Sequence, residues 1–190
     1  MLTVRPARRR EWRMVIPQLT PWSCAAASTV DALVDLLGSD PRAAELAQTF
    51  LIERLKLRTQ ASPLEWVAEE VHRWLGDHVN VRLGSIPLGQ AVAEATFGAG
   101  VVVGLAPRDA TGSIGHAVRL EGGDGVLDRG GSDISRAILS RGDERLADGL
   151  GFHAFVFDPA AQGRRIVVPM GTLRERFERW GSQALLLYRK

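Results

Sequence analysis

The chain has 190 residues, of which 45% are hydrophobic, and a formal charge of +2. A chain of this length can bury a core of its own as a single domain. Its one cysteine excludes an internal disulfide, and no cysteine and histidine cluster has the spacing of a zinc site. No run of about 18 apolar residues is present, so we expect no membrane-spanning segment.

The positive charge is concentrated at the N-terminus. Residues 1–13 hold five arginines and one glutamate, which leaves 19 basic and 21 acidic residues over positions 14–190. The remainder is therefore weakly acidic, and we expect no nucleic-acid partner. We interpret residues 1–15 as a basic, solvated arm before a single domain over residues 16–190. The arm contains no apolar segment, so we expect no secretory signal peptide.

Three helices are predicted in the first half of the chain. Residues 23–37 have a helical apolar stripe that stops at Gly38, and Asp40-Pro41 opens a second helix. The third begins at Ser62-Pro63-Leu64-Glu65, a pattern typical of a capping box. The side chains predicted to face the core from the second and third helices are Ala44, Leu46, Ala47, Phe50, Leu51 and Leu55, and Leu64, Val67, Val71 and Trp74.

The second half of the chain is rich in predicted strands. A strand over Val79–Leu83 and a helix from about Pro87 to Phe97 lead into it, and a helix over Thr172–Trp180 precedes the last strand. The further predicted strands are Val101–Leu105, His116–Leu120, Phe152–Phe157, Arg165–Val168 and Ala184–Tyr188. Helices followed by strands favour an α+β fold with an antiparallel sheet.

Cys24 is the candidate nucleophile. It opens the first predicted helix, whose N-terminus favours the thiolate. Gln18, six residues earlier, could donate its side-chain amide to an oxyanion, with the backbone N–H of Cys24 as a second donor. The alternative is that Cys24 is a small buried hydrophobic residue, which is common for a lone cysteine.

His116 is the preferred candidate for the general base. It follows a glycine and starts a predicted strand, which is a rigid place for a catalytic side chain. His153 also starts a strand and is the rival candidate, whereas His72 and His78 lie at positions typical of surface or helix-capping residues.

Two aspartates compete to orient the imidazole of His116. Pairing Asp158 opposite His116 in an antiparallel ladder also sets Val118 opposite Val156 and Leu120 opposite Ala154, so that apolar residues share one face. Asp128 is the alternative, but the tight turn predicted at Asp124-Gly125 would leave it several residues short of His116. Asp158 could instead cap the turn before Pro159.

These motifs, in the order Gln18, Cys24, Gly115-His116 and Asp158-Pro159, resemble papain-like cysteine peptidases. The chain is similar to the bacterial double-glycine leader peptidases that process bacteriocins, and also to papain-fold bacterial effector proteases. The similarity extends to Ala99–Leu105 and to Val168–Arg189, and so covers most of the chain from Ile16 onward.

The resemblance implies a cysteine hydrolase that cleaves a peptide or isopeptide bond through a thioester and a triad of Cys24, His116 and Asp158. Deamidation or transglutaminase-type transfer on the same triad, or a catalytically silent domain that binds peptides, are alternatives. We expect no metal or organic cofactor and a peptide or protein substrate. Residues 124–150 are an insertion that could form a lid. We expect the protein in the cytoplasm, or delivered by a secretion system that needs no signal peptide.

Overall fold

The computed structural model describes residues 3–5, 16–40, 42–57, 60–107, 115–127, 135–140, 149, 151–160 and 164–190. In chain order, its elements are β1 (Thr3–Arg5), α1 (Cys24–Leu37), α2 (Arg42–Arg54), α3 (Leu64–Leu75), β2 (Val79–Ser85), α4 (Leu88–Thr96), β3 (Gly100–Leu105), β4 (His116–Gly123), β5 (Gly125–Leu127), α5 (Ser135–Ser140), β6 (His153–Asp158), β7 (Arg164–Pro169), α6 (Met170–Arg179) and β8 (Gln183–Arg189).

Six strands form an antiparallel sheet in the order β2-β8-β3-β4-β6-β7. The last strand, β8, lies inside the sheet between β2 and β3. The predicted α+β class is confirmed, and the helix and strand positions predicted from the sequence agree with it to within a few residues.

Helices cover both faces of the sheet. Alternate side chains of a strand point to opposite sides, so a single strand contributes to two cores. Val102 packs into one core with α1, α2 and α3, whereas its neighbours Val101 and Val103 pack into the other with α4, α5 and α6. Both cores are built from fully buried side chains, including Leu185 on the first face and Phe177 on the second. No helix in the described ranges is long and apolar enough to cross a membrane.

Two predictions about the helical layer were wrong in detail. Trp74 and Leu46 were predicted to face the core, but they are 41% and 75% exposed. Trp74 packs instead against Phe50 at the surface, with ring centroids 5.0 Å apart. An apolar stripe wider than the available core leaves its margins at the surface, because the partner layer covers only its centre.

The predicted capping box at the start of α3 is also absent. Pro63 rather than Ser62 is the N-cap residue, and no side chain caps the helix. The hydroxyl of Ser62 donates to the carbonyl of Pro63 at 3.3 Å, while Oε1 of Glu65 accepts a hydrogen bond from Nε2 of Gln183 at 2.6 Å. Glu65 therefore links α3 to the start of β8.

Parts of the predicted arm and insertion have regular structure. Thr3–Arg5 pairs antiparallel with Gly125–Leu127, which forms a small second sheet. In α5, Leu139 is fully buried in the core that contains α4. The described part of residues 124–150 thus contacts the N-terminal strand through β5 and the core through α5.

Candidate active site

Cys24 is the first residue of α1, and its side chain is partly buried. The sulfur accepts hydrogen bonds from two backbone N–H groups, that of Ala25 and that of Ala117 in β4, the latter at 3.4 Å. The positive end of the α1 dipole also lies at this residue. Each of these features favours the thiolate over the thiol.

Side chains of α1 hold the helix against β4 and so fix Cys24 relative to His116. The hydroxyl of Ser28 donates to the carbonyl of Ala117 at 3.2 Å. Further along, the buried guanidinium of Arg119 donates to the Asp31 carboxylate at 2.6 Å and also forms an ion pair with Asp35. A buried ion pair that is well hydrogen-bonded keeps two elements in one register, because separating them would leave charges unpaired.

His116 is the first residue of β4 and contacts both Cys24 and Asp158. Its Nε2 lies 2.6 Å from Oδ1 of Asp158, and the imidazole also hydrogen-bonds the thiol of Cys24. Because Nε2 faces the carboxylate, Nδ1 is the nitrogen left to face the sulfur. Asp158 is the last residue of β6, and its Oδ1 also accepts the N–H of Ala160 at 2.9 Å.

The strand register that suggested Asp158 differs from the observed register. The sequence placed His116 opposite Asp158 and Leu120 opposite Ala154, whereas Leu120 pairs with Val156 and a bulge follows before Gly122. The ladder is shifted by two residues, so each side chain keeps the face that was predicted for it. The contact of His116 with Asp158 is therefore diagonal, a separation that long side chains can bridge.

Burial raises the pKa of the Cys24 thiol, but the hydrogen bond to His116, the two backbone donors and the charge of the imidazolium outweigh it, and the net pKa is lowered. Burial likewise lowers the pKa of His116. Hydrogen bonds to Asp158 and Cys24 and the negative charges of both outweigh that effect and raise this pKa to about 9. The two shifts have opposite signs and favour a thiolate and imidazolium pair near neutral pH.

Gln18 lies in the loop before α1. Its backbone N–H donates to the carbonyl of Pro159 at 3.3 Å, so this loop is tied to the residue that follows Asp158. The buried Oε1 of Gln18 has no hydrogen-bond partner among the described residues. The side-chain oxygen is thus not used by the fold in the described part of the chain.

A cleft of about 690 Å³ opens beside Cys24 and His116. Its walls come from the start of α1, the segment before α3, strands β3 and β4, and the turn between α6 and β8; they include Trp22, Leu64, Arg179, Trp180 and Gln183. Gln18 is not among the residues that line it. The cleft is large enough for side chains on one side of a bound peptide.

Trp180 forms one wall of the cleft because two glycines leave room for it. A Cβ atom at Gly115 would lie 2.2 Å from Cζ2 of Trp180, and one at Gly104 would lie 2.6 Å from its Cδ1. Gly115 directly precedes His116, so the indole lies beside the imidazole. The sequence pointed to the glycine before His116 but not to the tryptophan that packs against it.

The other candidates lie elsewhere or outside the described structure. Nδ1 of His153 faces Oδ2 of Asp124 at 3.3 Å, away from the contacts that surround Cys24. Asp128, the alternative third member, lies outside the described residues. Within the described ranges, no group of three or more histidine, cysteine, aspartate or glutamate side chains is arranged to hold a metal ion.

Gln48, a residue near the site, was not predicted from the sequence. Gln48 lies on α2, is fully buried, and hydrogen-bonds the loop that carries Gln18. A glutamine in the middle of an otherwise apolar helix face was the available indication, because a buried amide needs polar partners.

The arrangement of helices and sheet is the papain-like fold of C39 cysteine peptidase domains. The chain is similar to the peptidase domain of Streptococcus ComA, a bi-functional ABC transporter involved in a quorum-sensing pathway, with a TM-score of 0.59 and 11% identity over 92% of this chain and 97% of that one. It is also similar to a Bacillus anthracis protein described as a C39-like peptidase, with a TM-score of 0.57 and 14% identity over 93% of this chain and 94% of that one.

No family model and no curated protein matches the sequence. The predicted resemblance to double-glycine leader peptidases is therefore confirmed through the fold, at low sequence identity. The chemistry of this chain has to be inferred from its own side chains.

Proposed function

We propose that Cys24, His116 and Asp158 are the catalytic triad of a cysteine hydrolase that cleaves a peptide or isopeptide bond. The observation that carries the proposal is the position of His116, which hydrogen-bonds the thiol of Cys24 and lies 2.6 Å from Asp158. An imidazole between a thiol and a carboxylate can activate the nucleophile and then protonate the leaving group.

In the first step, the thiolate of Cys24 attacks the carbonyl carbon of the substrate. The carbonyl oxygen becomes an oxyanion, which needs donors arranged in advance. The N–H of Cys24 is one candidate, since the first N–H groups of a helix have no partner within it. The side-chain amide of Gln18 is the other.

The imidazolium of His116 then donates its proton to the nitrogen of the leaving amine, the C–N bond breaks, and a thioester to Cys24 remains. The neutral imidazole next takes a proton from water, whose oxygen attacks the thioester; the C–S bond breaks, a carboxylic acid is released, and the thiolate and imidazolium pair is restored. Asp158 orients the ring and stabilises its charged form throughout.

The substrate is a peptide or protein, and its side chains would contact the cleft next to the triad. Most of that cleft surface is apolar, with Leu64 and Trp180 in its walls, and outside the proposed triad Arg179 is the charged residue among those that line it. An extended peptide can lie along such a cleft with its scissile carbonyl at Cys24.

The test is labelling with a peptide vinyl sulfone at pH 6–7, detected by intact mass spectrometry. We expect wild-type protein to gain one label at Cys24 much faster than free cysteine does, because the thiol pKa is lowered. The Cys24→Ala variant should gain none. Wild-type labelling no faster than that of free cysteine would overturn the proposal.

A second measurement separates the triad from a merely reactive thiol. The His116→Gln variant keeps a polar side chain but loses the imidazolium, and its labelling at pH 6 should fall to the rate of an ordinary thiol. His153→Gln is the matched control, since His153 also starts a strand and faces an aspartate. Equal losses in the two variants would contradict the proposed role of His116.

A further inference from the structure

We infer that Gln48 is a positioning residue that holds Gln18 in place as an oxyanion donor; the inference rests on the proposed function. Gln48 lies on α2, is fully buried, and is the polar residue among the largest fully buried side chains of the described structure. Burying an amide is costly unless all its polar atoms find partners, so its bonds indicate its role.

The amide of Gln48 contacts the chain on both sides of Gln18. Its Oε1 accepts the N–H of Leu19 at 2.7 Å, and its Nε2 donates to the carbonyl of Pro17 at 3.0 Å. The side chain thus pairs with the two peptide groups next to Gln18 in the way that the peptide of a neighbouring strand would. On the other side, the N–H of Gln18 donates to Pro159.

The same network reaches the residue before the nucleophile. Oγ of Ser23 lies 3.4 Å from Oε1 of Gln48, donates to the carbonyl of Thr20 at 3.0 Å, and accepts the N–H of Thr20. The hydroxyl of Thr20 donates to the carbonyl of Leu57 at 2.7 Å, just beyond the end of α2. Residues 17–23 are therefore hydrogen-bonded both to α2 and to the segment that follows it.

Gln18 itself receives none of these side-chain bonds. Its buried Oε1 has no partner in the described part of the chain, although the backbone around it is held at residues 17, 18 and 19. A backbone that is fixed in advance is what an oxyanion donor requires, because the donor, here Nε2 of Gln18, must be in place before charge develops. The role of Gln48 follows from this geometry: it acts on the reaction through the loop that carries Gln18.

Two reactions of Cys24 distinguish this role from a structural one. Iodoacetamide forms a C–S bond while a C–I bond breaks, and no oxyanion appears at any stage. With p-nitrophenyl acetate, the thiolate adds to the carbonyl, an oxyanion forms, and p-nitrophenolate leaves as the thioester is made. The ratio of the acylation rate to the alkylation rate therefore reports on the oxyanion donors alone.

The variant Gln48→Met keeps the side-chain volume and removes both hydrogen bonds. We expect its acylation rate to fall about tenfold while alkylation stays within about twofold, and Gln18→Ala to lower acylation by about 10²-fold. The double variant should be no slower than Gln18→Ala, since Gln48 has nothing left to position. Thr96→Val, which removes a hydrogen bond to Val92 on α4, is the control and should leave the ratio unchanged.

Parallel losses in both reactions, an unchanged ratio in Gln48→Met, or additive losses in the double variant would each overturn the inference. If Gln48→Met does not fold, Gln48→Glu replaces it, because the carboxylate can still accept from Leu19 but cannot donate to Pro17. Amide exchange at Leu19 must then remain slow while the ratio falls. If wild-type protein is alkylated faster than free cysteine but not acylated faster, the proposed function is refuted as well. If wild-type protein is acylated faster and Gln48→Met has the same ratio of rates, only the role of Gln48 is refuted.

Discussion

Two histidine–aspartate pairs in the described part of the chain each join β4 or its end to β6. His116 starts β4 and meets Asp158 at the end of β6, whereas His153 starts β6 and meets Asp124, which directly follows β4. The first pair is 2.6 Å apart with the imidazole 23% exposed, and the second is 3.3 Å apart with the imidazole 43% exposed.

The difference lies in what surrounds each pair. His116 has a thiol on its other side and a cleft in front of it. Asp124 instead also accepts the backbone N–H of His153 at 3.0 Å, which adds a hydrogen bond between the end of β4 and the start of β6. The same two residue types thus serve a proposed reaction at one end of the β4–β6 ladder and strand pairing at the other. Proximity to Cys24, rather than the pair itself, marks the candidate site.

The largest expected difference between the two pairs appears when the imidazole of each is removed in turn. His116→Ala should lower hydrolysis of a peptide substrate, or acylation where no substrate is known, by about 10²–10⁴-fold, because general acid and base transfer is lost. His153→Ala should change the rate by less than about threefold, within the range of a substitution outside the site. Stopped-flow or burst kinetics on both variants measures this, and similar losses would break the distinction between the two pairs.

Replacing the carboxylates should separate reactivity from stability. Asp158→Asn should lower the acylation rate at least about tenfold, because the amide cannot stabilise the imidazolium by charge. Asp124→Asn should leave the rate unchanged and lower the free energy of unfolding by about 1 kcal/mol, since a weaker acceptor remains for the N–H of His153. Urea denaturation and acylation kinetics on the same samples check both results.

The pH dependence of acylation should reflect the first pair. The imidazolium of His116 persists up to its raised pKa of about 9, so activity should fall as pH rises through that value. The thiolate persists down to the lowered pKa of Cys24, so activity should fall again in acid below that pKa. In Asp158→Asn, the alkaline limb should move to lower pH, whereas Asp124→Asn should leave the profile unchanged.

The smallest expected effect concerns the contact that sets α1 against β4. Ser28→Ala removes one hydrogen bond to the carbonyl of Ala117 and should lower the free energy of unfolding by about 1 kcal/mol. Arg119 and its aspartates should keep the helix in register, so alkylation of Cys24 should change less than about twofold. A large loss of alkylation would mean that Ser28 alone holds the thiol beside His116.

Sequence patterns were sufficient for the elements but not for their exact pairing. Local periodicity gives the strand that starts at His116, because the alternation is a property of the strand itself. The register against β6 depends on a bulge before Gly122 and on the long connection between the strands, neither of which has a local pattern. Asp158 was predicted on the correct face of the sheet, but the predicted pairing of β4 with β6 was two residues out of register.

The helices show a similar limit. Hydrophobic patterns identify an apolar side chain but not whether another layer covers it, and so Trp74 was wrongly placed in the core. Gln48 is the opposite case, a polar residue whose burial depends on a loop that lies 25–31 positions earlier in the chain. Its partners are backbone atoms, which every residue carries, so residue types alone could not reveal them.

The place of β8 inside the sheet has a consequence for biosynthesis. Cys24 and His116 leave the ribosome long before residues 183–189, yet β8 separates β2 from β3, and Gln183 and the preceding turn form a wall of the cleft. A nascent chain that lacks this strand has an incomplete sheet, since domains fold as units. The fold therefore delays the completion of the cleft until translation has passed β8.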